Sequence, residues 1–578
     1  YTILYIYEFQ NMADKFIFDL SMGDKGVREP RPFTKKEWFR TPDKSNGTYL
    51  TNQVQFECLD FASNGRYMGY NEGIFVFPLV GVAKATDASG NAVSLSTITD
   101  ALVCNKNAWL NLIHSVNIEY ANGAVYPPSD NVNMYLNWKL HESMSELEET
   151  LNGDFISYSK DTSNSWSYNA TANSQGEGIC NNNNALTVNA ESYADDNNGR
   201  LSTMVNSGLV RRQQKLMSYK GMGRNAIFSD DAIKEELLDY VDNSSGQKIY
   251  YISAFIRAKD LPFFDNLPLI RGAPVRVTFT MNNNVSFKIN KAATTGVITL
   301  VGKSISNTTS ATNPYIVPAS RIATKTVSVT TVGENFGTPS NSVIHCGLSE
   351  IPNNTDLEYS FKIQKNGGFE HKLDRCYLYC PAYTMDPSYE AQYLAQKIRK
   401  INFNEVEYCY FEAGAGKNFQ YVITAGSSRM SRVIIIPIMS PTGNNDINPV
   451  SSPFSTEPST TSPCSLSQLA IYLGGDNLYK DKINFSFENF LNQHINNGKN
   501  ANMQKGDVSS MVNLSDYANI YNYIVADLGK HSEEFDNSVY NLRFEGKVSS
   551  LKPITFHIFV EKMKSISVDV STGVRVDS

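Results

Sequence analysis

The segment 250–284, YYISAFIRAKDLPFFDNLPLIRGAPVRVTFTMNNN, constrains the fold of this chain more than any other. Val275, Val277 and Phe279 alternate with Arg276, Thr278 and Thr280, the two-residue period of a strand with one buried face. Ahead of that strand, Pro262 and Pro268 block a long helix, and Phe263, Phe264, Leu267, Leu269 and Ile270 gather into an apolar plug. Strand, plug and strand predict a stiff corner of a β-sandwich with Phe263, Phe264 and Leu267 buried in it. The corner offers no nucleophile, no metal-ligand cluster and no loop that could cradle phosphate.

The rest of the chain extends the β theme. At 578 residues it is too long for one core and suits two to four domains. It carries 32 Tyr and 30 Phe with abundant Asn, and charged residues are only 19%. Tyr, Phe, Val, Ile and Thr favour strands, while Asn, Gly and Pro favour turns. A large β protein with long polar loops follows, and many Tyr with few charges suit extensive subunit contact.

The net charge of −7 is small for this length and argues against a chain that binds nucleic acid over its whole surface. One local exception stands near the start. Lys25, Arg28, Arg31, Lys35, Lys36, Arg40 and Lys44 fall within one short stretch, interrupted by Pro30, Pro32 and Pro42. It reads as an extended basic arm over 1–47, with Phe33, Trp38 and Phe39 as apolar anchors. The competing reading is a solvated tail without a role.

The eight Cys include no CxxC pair; Cys376 and Cys380 sit four apart on a strand-like run, which favours free thiols. The opening YTILYIYEFQ lacks the basic flank and cleavage site of a secretory signal, and Met12 begins MADKF like a natural start, so residues 1–11 need not be native.

Along the chain, strands are expected within 48–61, where TYLTNQVQFECLDF alternates, and at 67–84, 112–120 and 131–141. A polar excursion follows at 152–208, then a short helix at 230–242 capped by Ser229, with Leu237, Leu238 and Val241 facing inward. Residues 288–345 hold a domain boundary, placed after residue 310. The second half repeats the layout. CYLYCPAYTMDPSYEAQYL joins a strand to a helix with Asp386 as N-cap and Pro387 at the first helical position. FQYVITAGSSRMSRVIIIPIMS reads as a hairpin-like pair around a Gly-Ser turn. A second excursion occupies 441–465, and VYNLRFEGKV and TFHIFVEKMKSISVDV close the chain as strands.

No nucleotide-binding, hydrolase, zinc-protease or calcium motif is present. The seven His are scattered, with no pair at metal-ligand spacing. Glu142, Glu146 and Glu149 recur at helical spacing and read as a solvated face. No catalytic residue, cofactor or metal is expected.

Four separated segments resemble the major capsid proteins of virophages and polinton-like viruses. They are QVQFECLDFASNGRYMGYNEGIFVFPLV at 53–80, the DLPFFDNLPLIRG corner, the CYLYCPAYTMDPSYEAQYL block and the closing TFHIFVEKMKSISVDVSTGVRV; NPYIVPAS at 313–320 is similar as well. Their order agrees with that family. The resemblance implies an all-β chain of two consecutive eight-stranded antiparallel jelly rolls (a double jelly roll), at 48–310 and 311–578, with short helices and long surface loops. It also implies homotrimeric, pseudo-hexagonal capsomers tiling an icosahedral virion shell. Partners would be further copies of the chain and penton and minor capsid proteins, with no small-molecule substrate. In that setting Arg31, Lys35, Lys36, Trp38, Phe39 and Arg40 would form an assembly arm touching a neighbour, packaged DNA or an internal membrane. Two other classes stay open: a secreted glycan-binding or adhesive β-sandwich, and a β-sandwich polysaccharide hydrolase with a distant carboxylate pair.

Overall fold

The computed structural model of the chain describes residues 32–44, 53–58, 65–93, 103–105, 108–121, 123–160, 247–272, 274–281, 375–439, 461, 464, 466–498, 512–519, 521–528, 539–549 and 553–576. It also describes short strands at 167–168, 180–181, 239–243, 285–291, 298–301, 316–318, 327–332, 343–344 and 355–363.

The first half contains strands β1 (Phe33–Pro42), β2 (Gln53–Glu57), β3 (Ile74–Asp87) and β4 (Ile113–Tyr120). Helices α1 (Val132–Ser143) and α2 (Glu146–Ile156) follow, then strands β5 (Gln247–Arg257) and β6 (Val275–Met281). Three further strands, β7 (Val285–Lys291), β8 (Thr355–Ile363) and β9 (Tyr377–Met385), lead into helix α3 (Pro387–Leu394). The second half contains β10 (Ile398–Ala413), β11 (Asn418–Ser427), β12 (Met430–Met439), β13 (Leu466–Leu473) and β14 (Asp476–Asn477). Helices α4 (Phe487–Gly498) and α5 (Leu514–Asn519) precede β15 (Ile524–Asp527), β16 (Tyr540–Val548) and β17 (Ile554–Asp569).

The pairing in the second half is nested. Its first strand pairs with its last (β10 with β17), its second with its seventh (β11 with β16), its third with its sixth (β12 with β15), and the middle two with each other (β13 with β14). An antiparallel ribbon rolled over on itself gives this order, in two sheets: β10-β17-β12-β15 and β11-β16-β13-β14. That is an eight-stranded jelly roll. The first half repeats the two outer levels. β2 pairs with β6, which has β4 on its other side, and β3 pairs with β5 in the facing sheet.

Sequence alternation explains which face is buried. On β6, Val275, Val277, Phe279 and Met281 point into the core, while Arg276 on the outer face pairs with Glu57 at 2.8 Å and Glu119 at 2.9 Å. The run SRVIIIPIM on β12 has no such alternation because both of its faces are covered. Val433 and Ile435 pack inside the second sandwich with Ile558, Val560 and Phe544. Ile434, Ile436 and Ile438 pack outward into the core of the first half with Phe559, Phe403 and Trp138. A continuous apolar strand is the expected signature of a sheet covered on both sides.

Several expectations are corrected. The 131–141 segment is the helix α1, not a strand: it is buried on all sides, so its apolar residues leave no polar stripe that would betray a helical period. β11 and β12 are not a hairpin; they lie in different sheets, and the turn between them carries the chain across the sandwich. Residues 239–243 form a strand paired with the start of β5, and the remainder of the helix expected at 230–242 lies outside the described residues. The division after residue 310 also moves. β8 and β9 pair with β3 of the first half, so the second roll starts at Ile398.

The two polar excursions are shorter than 152–208 and 441–465. Ile156 and Tyr158 are buried in the first core, and Thr461 is buried, its hydroxyl accepting from the Asn522 N–H at 2.6 Å. Apart from those flanks and 167–168 and 180–181, both excursions lie outside the described residues. Residues 1–31 and 45–47 of the expected arm lie outside the described residues, and its described part is the strand β1. β1 runs antiparallel to β9, from Phe33 opposite Met385 to Pro42 opposite Tyr377, so it is an element of the chain's own first sheet and not a free tether. The alternation of Phe39 and Thr41 toward the core, with Asp43 N–H donating to the Cys376 carbonyl at 3.0 Å, holds it there.

Candidate functional site

The chemistry concentrated between the two sandwiches is a buried ionic junction. Helix α1 supplies one wall. Its residues Tyr135, Trp138 and Glu142 lie at i, i+3 and i+7, on one face, and that face looks onto β12 and β17. Those two strands set Arg432 directly opposite Glu561 in register. The Arg432 guanidinium donates from Nε to Glu561 Oε2 at 3.0 Å and from Nη2 to Glu561 Oε1 at 2.6 Å. It also clasps Glu142 of the first half, through Nη1 to Oε1 and through Nη2 to Oε2 at 3.2 Å. The indole of Trp138 lies 4.6 Å from the guanidinium carbon.

Glu561 is fully engaged. Besides Arg432, it accepts from the Tyr135 hydroxyl at 2.7 Å and from Asn404 Nδ2 at 3.3 Å. All three charged side chains are buried. Burial opposes the charge on Arg432, but the carboxylates of Glu142 and Glu561 outweigh it and hold the guanidinium protonated well above its ordinary range. Burial, reinforced by the Glu561 charge, pushes the Tyr135 hydroxyl well above its usual value, so it stays a donor. One cation thus bridges a carboxylate from each half. Removing it would strand two buried anions.

Two further contacts flank the junction. The corner is a wedge between the halves: Phe263, Phe264 and Leu267 are buried, and the Phe263 ring lies 5.8 Å from Tyr120 of the first sandwich and 5.3 Å from Phe403 on β10 of the second. Phe263 has φ of 78°, a left-handed backbone that costs a bulky residue and persists because the packing around it is tight. The Asn266 amide donates to the Asn402 carbonyl at 3.2 Å, and Arg271 N–H donates to the Val570 carbonyl at 3.0 Å, so backbone and side chain both cross the boundary. On β17, His557 is buried with Nδ1 2.9 Å from the Tyr408 hydroxyl, and burial drives its pKa down to about 4.

No family model matches the chain, and no curated protein does. Among solved structures, the chain is similar to the Sputnik virophage structure determined by cryo-EM, with 10% identity over 99% of this chain and 91% of that one, at a TM-score of 0.48. It is similar to the mavirus major capsid protein, with 10% identity over 99% and 94%, at a TM-score of 0.43. It is also similar to the Faustovirus major capsid protein, with 8% identity over 94% and 92%, at a TM-score of 0.39. The tandem jelly-roll architecture rests on the nested pairing of this chain's own strands.

The expected arm residues are not gathered at the junction. Arg31 lies outside the described residues. Phe39 packs against the first core, whereas Trp38 is 52% exposed. Lys35 pairs with Glu37, Lys36 pairs with Glu72 at 2.8 Å, and Arg40 lies over the Tyr377 ring at 4.3 Å. The carboxylate series is corrected too. Glu142 and Glu149 are buried, not solvated: α1 is buried on nearly every side, and Glu149 lies on the inward face of the otherwise largely exposed α2. Among the described residues no group of His, Cys, Asp and Glu could hold a metal ion, and no helix is long and apolar enough to cross a membrane. Cys58, Cys376, Cys380, Cys409 and Cys464 are free thiols, and burial raises those of Cys380 and Cys464. Sequence reasoning missed Arg432, Glu142 and Glu561. The available signal was Arg432 itself: a charge at the head of a run as apolar as VIIIPIM must find a buried partner.

Proposed function

We propose that this chain is the structural major capsid protein of an icosahedral DNA virus, forming homotrimeric, pseudo-hexagonal capsomers. The observation that carries it is the tandem jelly roll fused through a shared core. A chain that presents two similar rolls as one block gives a trimer six roll positions, the number a hexagonal tile needs. The ordered resemblance of four segments to virophage and polinton-like capsid proteins supports the same assignment. So does the junction: a shell subunit needs its two rolls held at one angle, and a buried bridge with the aromatic wedge beside it supplies that constraint.

In this proposal the partners are copies of the chain, followed by penton and minor capsid proteins, and the location is the virion shell. The polar excursions project from one end of the capsomer as outer loops, because they have too little apolar surface to compensate burial of their backbone. No observation favours the glycan-binding or hydrolase alternatives.

Light scattering coupled to size exclusion, followed by negative-stain microscopy of the purified full chain, tests the proposal. The expected result is a trimer with a hexagonal outline or closed shells. A protein that stays monomeric at micromolar concentration, with no larger particles, overturns it.

A further inference from the structure

The outer face of β1 carries an arrangement that neither the junction nor the jelly-roll packing uses. Lys36, Trp38 and Arg40 alternate along the strand and therefore share one face, with the two cations about 13 Å apart along the backbone. Trp38, between them, is 52% exposed, whereas Trp109 and Trp138 are buried. The opposite strand continues the face with Tyr383, Pro381 and Tyr379, which stand across from Lys36, Trp38 and Arg40. Lys36 Nζ lies 5.4 Å from the Trp38 ring and 5.0 Å from that of Tyr383, and Arg40 lies 4.3 Å over Tyr377. The nearby carboxylates are Glu37, on the other face of the strand and bound to Lys35 and Arg66, and Glu72, bound to Lys36. On this face Lys36 and Arg40 stand against Glu72 alone, which leaves the strip at +1 in a chain of net charge −7.

We propose that this face of β1 is a binding strip for single-stranded nucleic acid, with a base stacked on Trp38 and the flanking phosphates met by Lys36 and Arg40. An exposed indole between two cations offers a π surface and charge at alternating points. A polymer of bases and phosphates complements both at once, whereas an acidic protein surface would use the charges and leave the ring in water. Stacking on an aromatic platform beside basic groups is how strands are held without sequence preference. The proposal deepens the shell reading by naming what the shell would touch, but the strip can be tested on the soluble chain whatever its assembly state.

The probe is a 20-nucleotide oligothymidine titrated into the full chain while Trp emission and anisotropy are followed, with heparin as an anion that has no bases. The strip predicts quenching by the oligonucleotide and not by heparin. Trp38→Leu should abolish the quenching and weaken binding roughly ten-fold, with little change in the melting curve because Trp38 is outside the buried core. Arg40→Gln should reduce the slope of log affinity against log salt by about 0.7, the contribution of one phosphate contact on a single strand. Equal binding by the wild type and Trp38→Leu overturns the proposal. So does equal quenching by heparin, or an emission change that follows protein concentration alone, which would make the strip a subunit contact.

Discussion

The two sandwiches are built on the same winding rule but hold their strands differently. The second closes all four nested levels within 398–569, and one of its sheets is buried on both faces. The first shows the two outer levels and then adds strands to a rim: β8 and β7 extend the sheet beyond β3, and β9 and β1 fill it from the other end. Burying one sheet of the second roll against the first makes the outer face of that sheet part of the first half's core, while the second sandwich keeps a core of its own. The first half provides the cover, the second provides the sheet that is covered, and Arg432 marks the place where a charge was admitted into that contact.

The comparison breaks first at Arg432. Arg432→Ala leaves Glu142 and Glu561 buried without a cation and should cost about 5 kcal/mol, the upper end for breaking a buried ion pair. Urea unfolding should then split from one transition into two, as the halves lose their coupling. Replacing the cluster together, as Arg432→Met with Glu142→Gln and Glu561→Gln, should recover most of that loss. A single unshifted transition for Arg432→Ala would mean that the apolar contacts alone couple the halves.

Next comes the wedge. Phe264→Ala removes a buried ring packed on Tyr70 and Phe75 at 6.4 and 6.3 Å and should cost about 4 kcal/mol by chemical denaturation. Loss of under 1 kcal/mol would show that the first sandwich tolerates an open corner. The third effect is a pH dependence of the second half. His557 has a folded pKa depressed to about 4 from an ordinary 6.5, so folding excludes its proton. Above 6.5 neither state binds that proton and stability is unaffected. Between 6.5 and 4 the unfolded state takes it up and stability falls, by about 3 kcal/mol in all. His557→Gln should flatten that part of the profile in thermal melts from pH 7 to 4. The smallest effect is at the hinge between the halves, where the Asp386 carboxylate accepts from the Ser388 N–H at 3.0 Å and caps α3. Asp386→Ala should cost about 1 kcal/mol, with no change in the number of unfolding transitions.

Legibility in the sequence followed the water line. Strands with one wet face, such as β6 and β16, alternate plainly, and the α3 start was readable because Asp386 and Pro387 act locally. Elements that touch no water were misread. In α1, Val132, Met134, Leu136, Trp138 and Leu140 happen to alternate with Asn133, Tyr135, Asn137 and Lys139, which mimics a strand. The Asn137 amide is accommodated in the helix by donating to Asn111 Oδ1 and to the Asn133 carbonyl. The candidate site was hidden for a related reason. Arg432, Glu142 and Glu561 are hundreds of residues apart, and only the stacking of one roll on the other brings them together. Likewise, alternation in β11 and the continuous apolar run of β12 show that each is a strand but carry no record of which sheet it joins.

The ribbon of β10 and β17 sets a length scale. The two strands stay in unbroken register for sixteen residues, from Ile398 opposite Asp569 to Ala413 opposite Ile554. At about 3.3 Å per residue this is a spar roughly 50 Å long. Pressure applied along such a spar meets covalent backbone, while a sideways shear has to part a whole ladder of hydrogen bonds at once. A wall made from this chain with its spars upright would be at least that thick.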